Sequence, residues 1–164
     1  MNKQILKSTL IAAAGLLFAN SAMAAGTDTA TFQVTATVAD SCLVSATPLA
    51  FGAYDPAAAL DGTSIITVTC TAQTPYTIGL DAGTGTSAVT TRTMTGDGAG
   101  TQLDYELYTE SGHGSVWGAI GGTTVAQSAL TGGPLPYTVY GQIPASQYVP
   151  AASYVDTINV TVAY

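Results

Sequence analysis

The chain has 164 residues, of which 47% are hydrophobic and only 8% are charged, with 3 Lys or Arg against 10 Asp or Glu. This length suits one domain. So few cations cannot form the basic surface that neutralises phosphates, which argues against nucleic-acid binding. The 27 threonines, together with Val, Tyr and scattered Gly, favour strands and turns, because β-branched and aromatic side chains fit a pleated surface. We therefore expect an all-β protein.

The first 24 residues have the pattern of a secretory signal. Lys3 and Lys7 precede a short apolar run over residues 10–18, and an Ala-Met-Ala site follows at 22–24. This pattern predicts a signal peptide over residues 1–24 and export of the rest. The apolar run is too short to cross a bilayer core of ~30 Å as a helix, so we expect no membrane insertion.

Removal of the signal would leave a strongly acidic chain. Arg92 is the one Lys or Arg after residue 24, whereas all ten acids follow it, which gives a formal net charge of −9. A surface of this kind is soluble and repels phosphates and anionic lipids.

Cys42 and Cys70 are the two cysteines of the chain. An even pair in an exported protein is expected to form a disulfide, because the compartments outside the cytosol are oxidising. The alternative, a metal or redox pair, would need a C-x-x-C spacing or further ligands, and the chain has one histidine, His113. We expect neither a metal site nor a cofactor.

Short runs of alternating apolar and polar residues follow the signal, separated by Gly, Pro and Asp. They predict strands over residues 30–38, 66–70, 76–80, 103–107, 137–143 and 157–164. The segments 82–100 and 112–133 are rich in Gly, Thr and Ala and are predicted to be loops or short ribbons. This pattern is typical of a β-sandwich or barrel.

The first of these runs lacks the features that usually protect an edge strand. Residues 29–38 contain no charge, Pro or Gly, and Phe32, Val34, Ala36 and Val38 share one face. The segment could be the first strand of its own sandwich, or an arm that joins the sheet of another molecule. The pattern alone leaves both possibilities open.

Several motifs together resemble a known family, the spore coat protein U domain, which is shared by subunits of archaic (sigma-class) chaperone–usher pili such as the Csu rod subunit. The resemblance covers essentially the whole chain after the signal. Its motifs are DSC at 40–42, LAFG at 49–52, TVTC at 67–70, LDYELY at 103–108, VWG at 116–118, VYGQIP at 139–144 and YVDTINVTVAY at 154–164.

The resemblance implies an incomplete immunoglobulin-like β-sandwich that lacks its last strand. It divides the chain into an N-terminal donor-strand segment, residues 25–39, and a pilin domain, residues 40–164. Donor strands of this family fill the groove of the next subunit, a case of β-strand addition. The residues carrying that role here are Phe32, Val34, Ala36 and Val38.

The family's partners and location follow in the same way. The resemblance implies a periplasmic chaperone, an outer-membrane usher and neighbouring copies of the subunit as partners, with the protein reaching the cell surface as part of a pilus used in adhesion and biofilm formation. The edge that receives the chaperone strand would contain Ile158, Val160, Val162 and Tyr164. Cys42 and Cys70 match the family's bridge between the first two strands of the domain.

Other functions are less well supported by the residues. With one histidine and no G-x-S-x-G elbow, His113 is expected to be a solvated loop residue, and the protein is not expected to be an enzyme. The acids in Asp61-Gly62 and Asp97-Gly98 are expected to form turns, since they lack the spacing of a calcium loop. Two alternatives stay open: a monomeric sandwich binding a ligand or sugar through Trp117 and tyrosines, and a coat or sheath protein.

Overall fold

The computed structural model describes residues 25–85, 88–98, 100–122, 124–129 and 131–164. The predicted signal peptide lies outside the described residues. The chain divides into two units, Met1–Ala36 and Thr37–Tyr164. Among the described residues, no helix has the length and apolar character needed to cross a membrane.

Two antiparallel sheets form the second unit. The larger has six strands in the order β1-β2-β7-β5-β4-β8, and the smaller has three in the order β6-β3-β9. The strands are β1 (Cys42–Ala46), β2 (Leu60–Cys70), β3 (Pro75–Leu80), β4 (Arg92–Gly96), β5 (Gln102–Tyr108), β6 (Val125–Ser128), β7 (Pro134–Ile143), β8 (Tyr154–Val155) and β9 (Val160–Ala163).

The core lies between the inner faces of the two sheets. Ile66, Val68 and Cys70 alternate along β2 with more exposed residues, which is the pattern of a strand with one buried face. They pack with residues of the smaller sheet, including Ile78 and Leu80, within one hydrophobic cluster. The Trp117 side chain is 1% exposed, and its indole N–H donates to the Ile78 carbonyl, 3.0 Å away.

Two glycines make room for a segment that crosses the large sheet. Gly62 on β2 and Gly141 on β7 are paired. A Cβ added to Gly141 would lie 2.8 Å from atoms of Leu49 and Phe51, and one added to Gly62 would lie 3.0 Å from the same two side chains. The LAFG segment therefore packs directly on the backbone of the sheet.

The buried side chain of Arg92 connects several segments beside the core through hydrogen bonds. Arg92 is 0% exposed and forms an ion pair with Glu106, with 2.6 Å between Nη1 and Oε1. Its guanidinium also donates to backbone carbonyls of Leu80, Asp81, Val89 and Trp117. Burial of the charge is tolerated because the guanidinium is paired and bonded on every nitrogen.

The strand predictions are confirmed in part. The runs at 66–70, 76–80, 103–107 and 137–143 lie in β2, β3, β5 and β7. The last run is shorter than predicted, since β9 begins at Val160. β6 and β4 lie in segments predicted to be loops or short ribbons, whereas β1 and β8 were not predicted as separate strands.

The N-terminal segment differs most from its prediction. Residues 25–41 form no strand, although residues 30–38 alternate as a strand would. Strand structure requires a partner for backbone hydrogen bonding, and the alternation of side chains does not supply one.

Candidate functional site

An open groove lies between the two sheets, beside β1 and β9. It has a volume of about 360 Å³. We call this feature the groove. Its lining includes apolar residues from both sheets and from the 47–51 and 156–158 segments: Ala46, Leu49, Phe51, Ile66, Leu80, Met94, Leu107, Val139, Ile158 and Val160.

The strand β9 is an edge of the smaller sheet and pairs only with β3 in the described part of the chain. The Asp81 N–H donates to the Asn159 carbonyl, whereas the Leu80 N–H donates away from β9, to Gly118. Because hydrogen-bonded and non-bonded pairs alternate in an antiparallel ladder, the backbone groups of Val160 and Val162 point to the open side. β9 thus presents unpaired donors and acceptors along the groove.

The four residues predicted for this edge do not have the same environment. Ile158 and Val160 line the groove, and Val162 packs against the core cluster. Tyr164 is 62% exposed and is not part of the groove lining. The prediction of an edge role for all four residues stays a prediction.

The four residues predicted to form the donor face are all exposed. The exposed fractions are 88% for Phe32, 84% for Val34 and 83% for Val38, and Ala36 is also exposed. None of them belongs to a strand. Large apolar side chains of an uncharged segment are thereby left open to solvent.

A carboxylate at the wall of the groove joins three segments. Asp156 accepts hydrogen bonds from the Tyr105 hydroxyl, the Thr84 backbone and hydroxyl, and the Thr157 backbone N–H. Burial raises the pKa of Asp156, but the hydrogen bonds outweigh that effect and lower it below its ordinary value. Burial raises the pKa of the Tyr105 phenol, and its interaction with the same carboxylate raises it further. Sequence reasoning missed this pair.

A second carboxylate, that of Asp81, holds the residue that precedes β9. Asp81 accepts from the backbone N–H of Gly83 and from both the backbone and the side-chain amide of Asn159. Burial raises its pKa, but these hydrogen bonds prevail and lower it. The segment that leads from β8 to β9 is therefore held by two acids.

The groove continues into a second cavity of about 710 Å³. The two share the side chains of Leu49, Phe51, Met94 and Tyr154, which form the boundary between them. Gln147 and residues 149–153 line another part of it. The LAFG segment thus contributes to both cavities as well as to the core.

Cys42 and Cys70 form a disulfide with an S–S distance of 2.01 Å. They are directly opposite each other on β1 and β2. The predicted bridge between the first two strands is therefore present, and it holds β1 at the point where the chain enters the sandwich.

His113 lies in a loop, as expected, but its side chain is less solvated than expected. It has a φ of 54° in a turn, and its side chain is only 20% exposed. Its ring lies 4.8 Å from that of Tyr108, and its Nδ1 is 3.2 Å from the Gln142 amide nitrogen. Its Nε2 is 3.9 Å from Asp61. These contacts involve no serine hydroxyl, and no group of three or more His, Cys, Asp or Glu among the described residues could hold a metal ion.

The sequence also matches a known domain along most of its length. A family model described as Spore Coat Protein U domain matches residues 28–161. This chain belongs to that family. It is 34% identical over 170 residues to Protein U of Myxococcus xanthus, with 94% of each chain covered.

The fold of this chain is also similar to that of a solved structure. It is similar, with a TM-score of 0.57 and 24% identity, to a chain in the crystal structure of a CsuC–CsuE chaperone–tip adhesion subunit pre-assembly complex from archaic chaperone–usher Csu pili of Acinetobacter baumannii. The match covers 78% of this chain and 40% of that one. The predicted class, an all-β immunoglobulin-like sandwich, is thereby confirmed.

Proposed function

We propose that this chain is a structural subunit of a surface pilus, assembled by donor-strand exchange. In this proposal the sandwich lacks its last strand, and residues 25–39 of another copy supply it. The observation that carries the proposal is that one chain contains both an apolar groove and an exposed apolar arm, residues 25–39. Among the described residues, the groove side of β9 has no strand partner and the arm forms no strand.

The arm has the chemistry that the groove requires. Phe32, Val34, Ala36 and Val38 recur at every second residue, so a strand formed by them would turn all four side chains to one side. The opposite side would carry Thr31, Gln33, Thr35 and Thr37, which suit contact with water. The backbone groups of Val160 and Val162 would accept the new strand at the edge of the smaller sheet.

The energy of such an addition supports a stable polymer. Burying Phe32, Val34 and Val38 contributes about 1.5–3 kcal/mol for each side chain. Each new backbone hydrogen bond adds about 0.5–1.5 kcal/mol. The sum approaches the ~5–15 kcal/mol stability of a whole domain. A filament could then persist without covalent links between subunits.

Entry of the donor strand requires movement of the groove's two edges. Several Cα atoms of β1 and β9 lie within 8 Å of each other. A strand between two others needs about 9.5 Å, twice the ordinary strand spacing. We therefore propose that a periplasmic chaperone keeps β1 and β9 apart by lending a strand, and that an outer-membrane usher exchanges it for the arm.

The same proposal places the protein on the cell surface, in a pilus that serves adhesion and biofilm formation, with a structural and not an enzymatic role. It agrees with the similarity to a chain from a complex of a pilus chaperone and a tip adhesion subunit. A second candidate, a coat or sheath protein, is favoured by the 34% identity to Protein U in the Spore Coat Protein U domain family.

Gel analysis of cell-surface material with and without heating tests the main proposal. Strand-exchanged polymers should run as a ladder that collapses to one band after boiling. Val34→Asp should abolish the ladder, since it would bury an unpaired charge in an apolar groove. The matched control, Gln33→Asp, changes the opposite side of the same segment and should keep the ladder.

Three outcomes would count against this function. A soluble, stable monomer from the exported wild-type chain would favour the monomeric ligand-binding sandwich. A ladder that survives in Val34→Asp would contradict the donor role of the arm. Antibody labelling confined to resting cells, without detachable filaments, would favour the coat protein.

A further inference from the structure

A set of hydrogen bonds holds the two residues that follow the arm. The Ser41 N–H donates to the Thr71 hydroxyl, 3.2 Å away, and the Thr71 N–H donates to the Ser41 carbonyl, 2.9 Å away. The hydroxyls of Thr71 and Thr74 are 2.7 Å apart, and the Thr74 hydroxyl donates to the Asp40 carboxylate over 2.8 Å. We call Asp40, Ser41, Thr71 and Thr74 the clamp.

The hydrogen bonds of the clamp run in one direction. An ionised carboxylate only accepts, so the Thr74 hydroxyl donates its one proton to Asp40 and accepts from the Thr71 hydroxyl, which accepts from the Ser41 N–H. Hydrogen bonds in such a chain strengthen one another. Thr74 is 1% exposed, so loss of the Asp40 carboxylate would leave a buried hydroxyl without its acceptor. Asp40, although exposed itself, is therefore held by a buried group.

The clamp connects the end of the arm to both sheets. Thr71 follows β2 of the large sheet, and Thr74 precedes β3 of the smaller sheet. The Thr74 carbonyl also accepts from the N–H of Ala129, the residue after β6, over 3.0 Å. The disulfide, by contrast, joins β1 to β2 within the large sheet. The clamp thus attaches Asp40 to the smaller sheet, which the disulfide does not do.

One residue separates the clamp from the donor face of the arm. Val38 is the last of the four residues of that face and Asp40 is the first residue of the clamp, so Ala39 lies alone between them. The Cα atoms of Val38 and Asp40 can be at most about 7 Å apart, because an extended chain advances about 3.3–3.6 Å for each residue. With Val38 in the groove of the next copy, that copy would lie directly beside the clamp.

We propose that Asp40, Thr71 and Thr74 are positioning residues that set the angle between consecutive subunits of the filament, with Ala39 as the joint. This inference rests on the proposed function, since it needs donor-strand exchange. Because the joint is one residue long, any freedom of Asp40 passes directly into the orientation of the next copy. With Asp40 held, the backbone dihedrals at Ala39 are the main freedom that remains.

The stiffness of purified filaments, measured as their bending persistence length in electron micrographs, tests this role. Asp40→Ala removes the acceptor of the Thr74 hydroxyl and should lower the persistence length several-fold. It should keep the heat-sensitive ladder, because the donor face and the groove are unchanged. Asp40→Asn retains an acceptor oxygen and should restore the wild-type stiffness. Asp97→Ala, the matched loss of one acid in an exposed turn, should also leave the stiffness unchanged.

Two further variants separate the clamp from the joint. Thr74→Val removes the hydroxyl at similar shape and should soften the filaments as Asp40→Ala does. An insertion of three glycines between Ala39 and Asp40 leaves the clamp intact and adds about 10 Å of reach, so it should soften them by lengthening the joint. This insertion alters no residue of the sandwich, and it gives the flexibility that Asp40→Ala should approach.

The inference would be overturned by wild-type stiffness in Asp40→Ala or in Thr74→Val filaments. Equal softening by Asp40→Asn and Asp40→Ala would also overturn it, since the acceptor oxygen would then not matter. Wild-type stiffness after the glycine insertion would show that the joint does not set the angle. Absence of the ladder in the wild type would instead contradict the proposed function, and this inference with it.

Discussion

Gly62 and Gly141 lie directly opposite each other on β2 and β7, and the side chains of Leu49 and Phe51 occupy the space that two Cβ atoms would need. Because of this arrangement, the LAFG segment contributes to the core, to the groove and to the second cavity. Anything that lifts Leu49 and Phe51 from the sheet therefore changes the shape of the groove as well as the packing of the core.

Gly141→Ala should lower the free energy of unfolding by about 1–3 kcal/mol, because the added methyl would lie 2.8 Å from Leu49 and Phe51 and force them to move. Urea unfolding followed by the fluorescence of the buried Trp117 measures the change. Gly112→Ala is the matched control, since a Cβ there has no neighbour within 4 Å. Equal stabilities of the two variants would contradict this account of the glycine pair.

Removal of one member of the buried ion pair should be more costly. Arg92→Gln leaves Glu106 without its cation and should destabilise the fold by about 3–5 kcal/mol. Glu106→Gln should cost less, because the variant amide oxygen still accepts from the guanidinium. The same fluorescence experiment compares them, and a larger loss in Glu106→Gln would show that the buried guanidinium depends on the charge of the carboxylate more than on the backbone carbonyls.

Acid should weaken the hydrogen bonds that hold the segment between β8 and β9. The pKa of Asp156 and that of Asp81 are lowered in the folded state, so their contribution to stability is full above the unfolded value of about 3.9 and is lost as pH falls through the folded pKa. Stability of the wild type should therefore fall between pH 5 and pH 2. Asp156→Asn should show a shallower fall, whereas Asp97→Asn, in an exposed turn, should follow the wild type.

The two faces of β9 should respond differently to charge. Val160 lines the groove and Thr161 is exposed on the other face. Val160→Asp should abolish the heat-sensitive ladder, because it would bury a carboxylate under the added strand. Thr161→Asp should leave the ladder in place. Equal loss in both variants would point to a general folding defect and not to the groove.

Loss of the disulfide should lower the yield of the exported protein. Replacing both Cys42 and Cys70 with Ser removes a bridge with a sequence separation of 28 residues, and such a loss costs about 2–5 kcal/mol in small exported domains. Immunoblots of periplasmic and surface fractions measure the yield. A yield equal to that of the wild type would show that the β1–β2 ladder alone holds the start of the domain.

The sequence was informative where apolar residues alternate over a long run. β2, β3, β5 and β7 carry most of the core and were predicted, because their buried faces leave a period of two. β1 and β6 escaped prediction since they are short and their exposure is nearly continuous. In residues 30–38, alternation indicates that the segment can pair, and it does not identify the partner.

The groove was predictable only in part. Ile158 and Val160 were named for this edge from the family resemblance, and both line the groove. The hydrogen bond from the Tyr105 hydroxyl to Asp156 joins residues 51 positions apart, and nothing in their local sequence patterns connects them. The partial burial of the His113 side chain was not predictable for a similar reason, since its ring contacts Tyr108 on β5 and Gln142 on β7, two neighbouring strands.

The burial of Arg92 limits cleavage of the protein by trypsin-like proteases. After residue 24 the chain contains no other peptide bond that a trypsin-like protease would cut, and the side chain such an enzyme must grasp is 0% exposed. Cleavage at Arg92 therefore requires the sandwich to unfold, and the rate of tryptic cutting reports how often it does so.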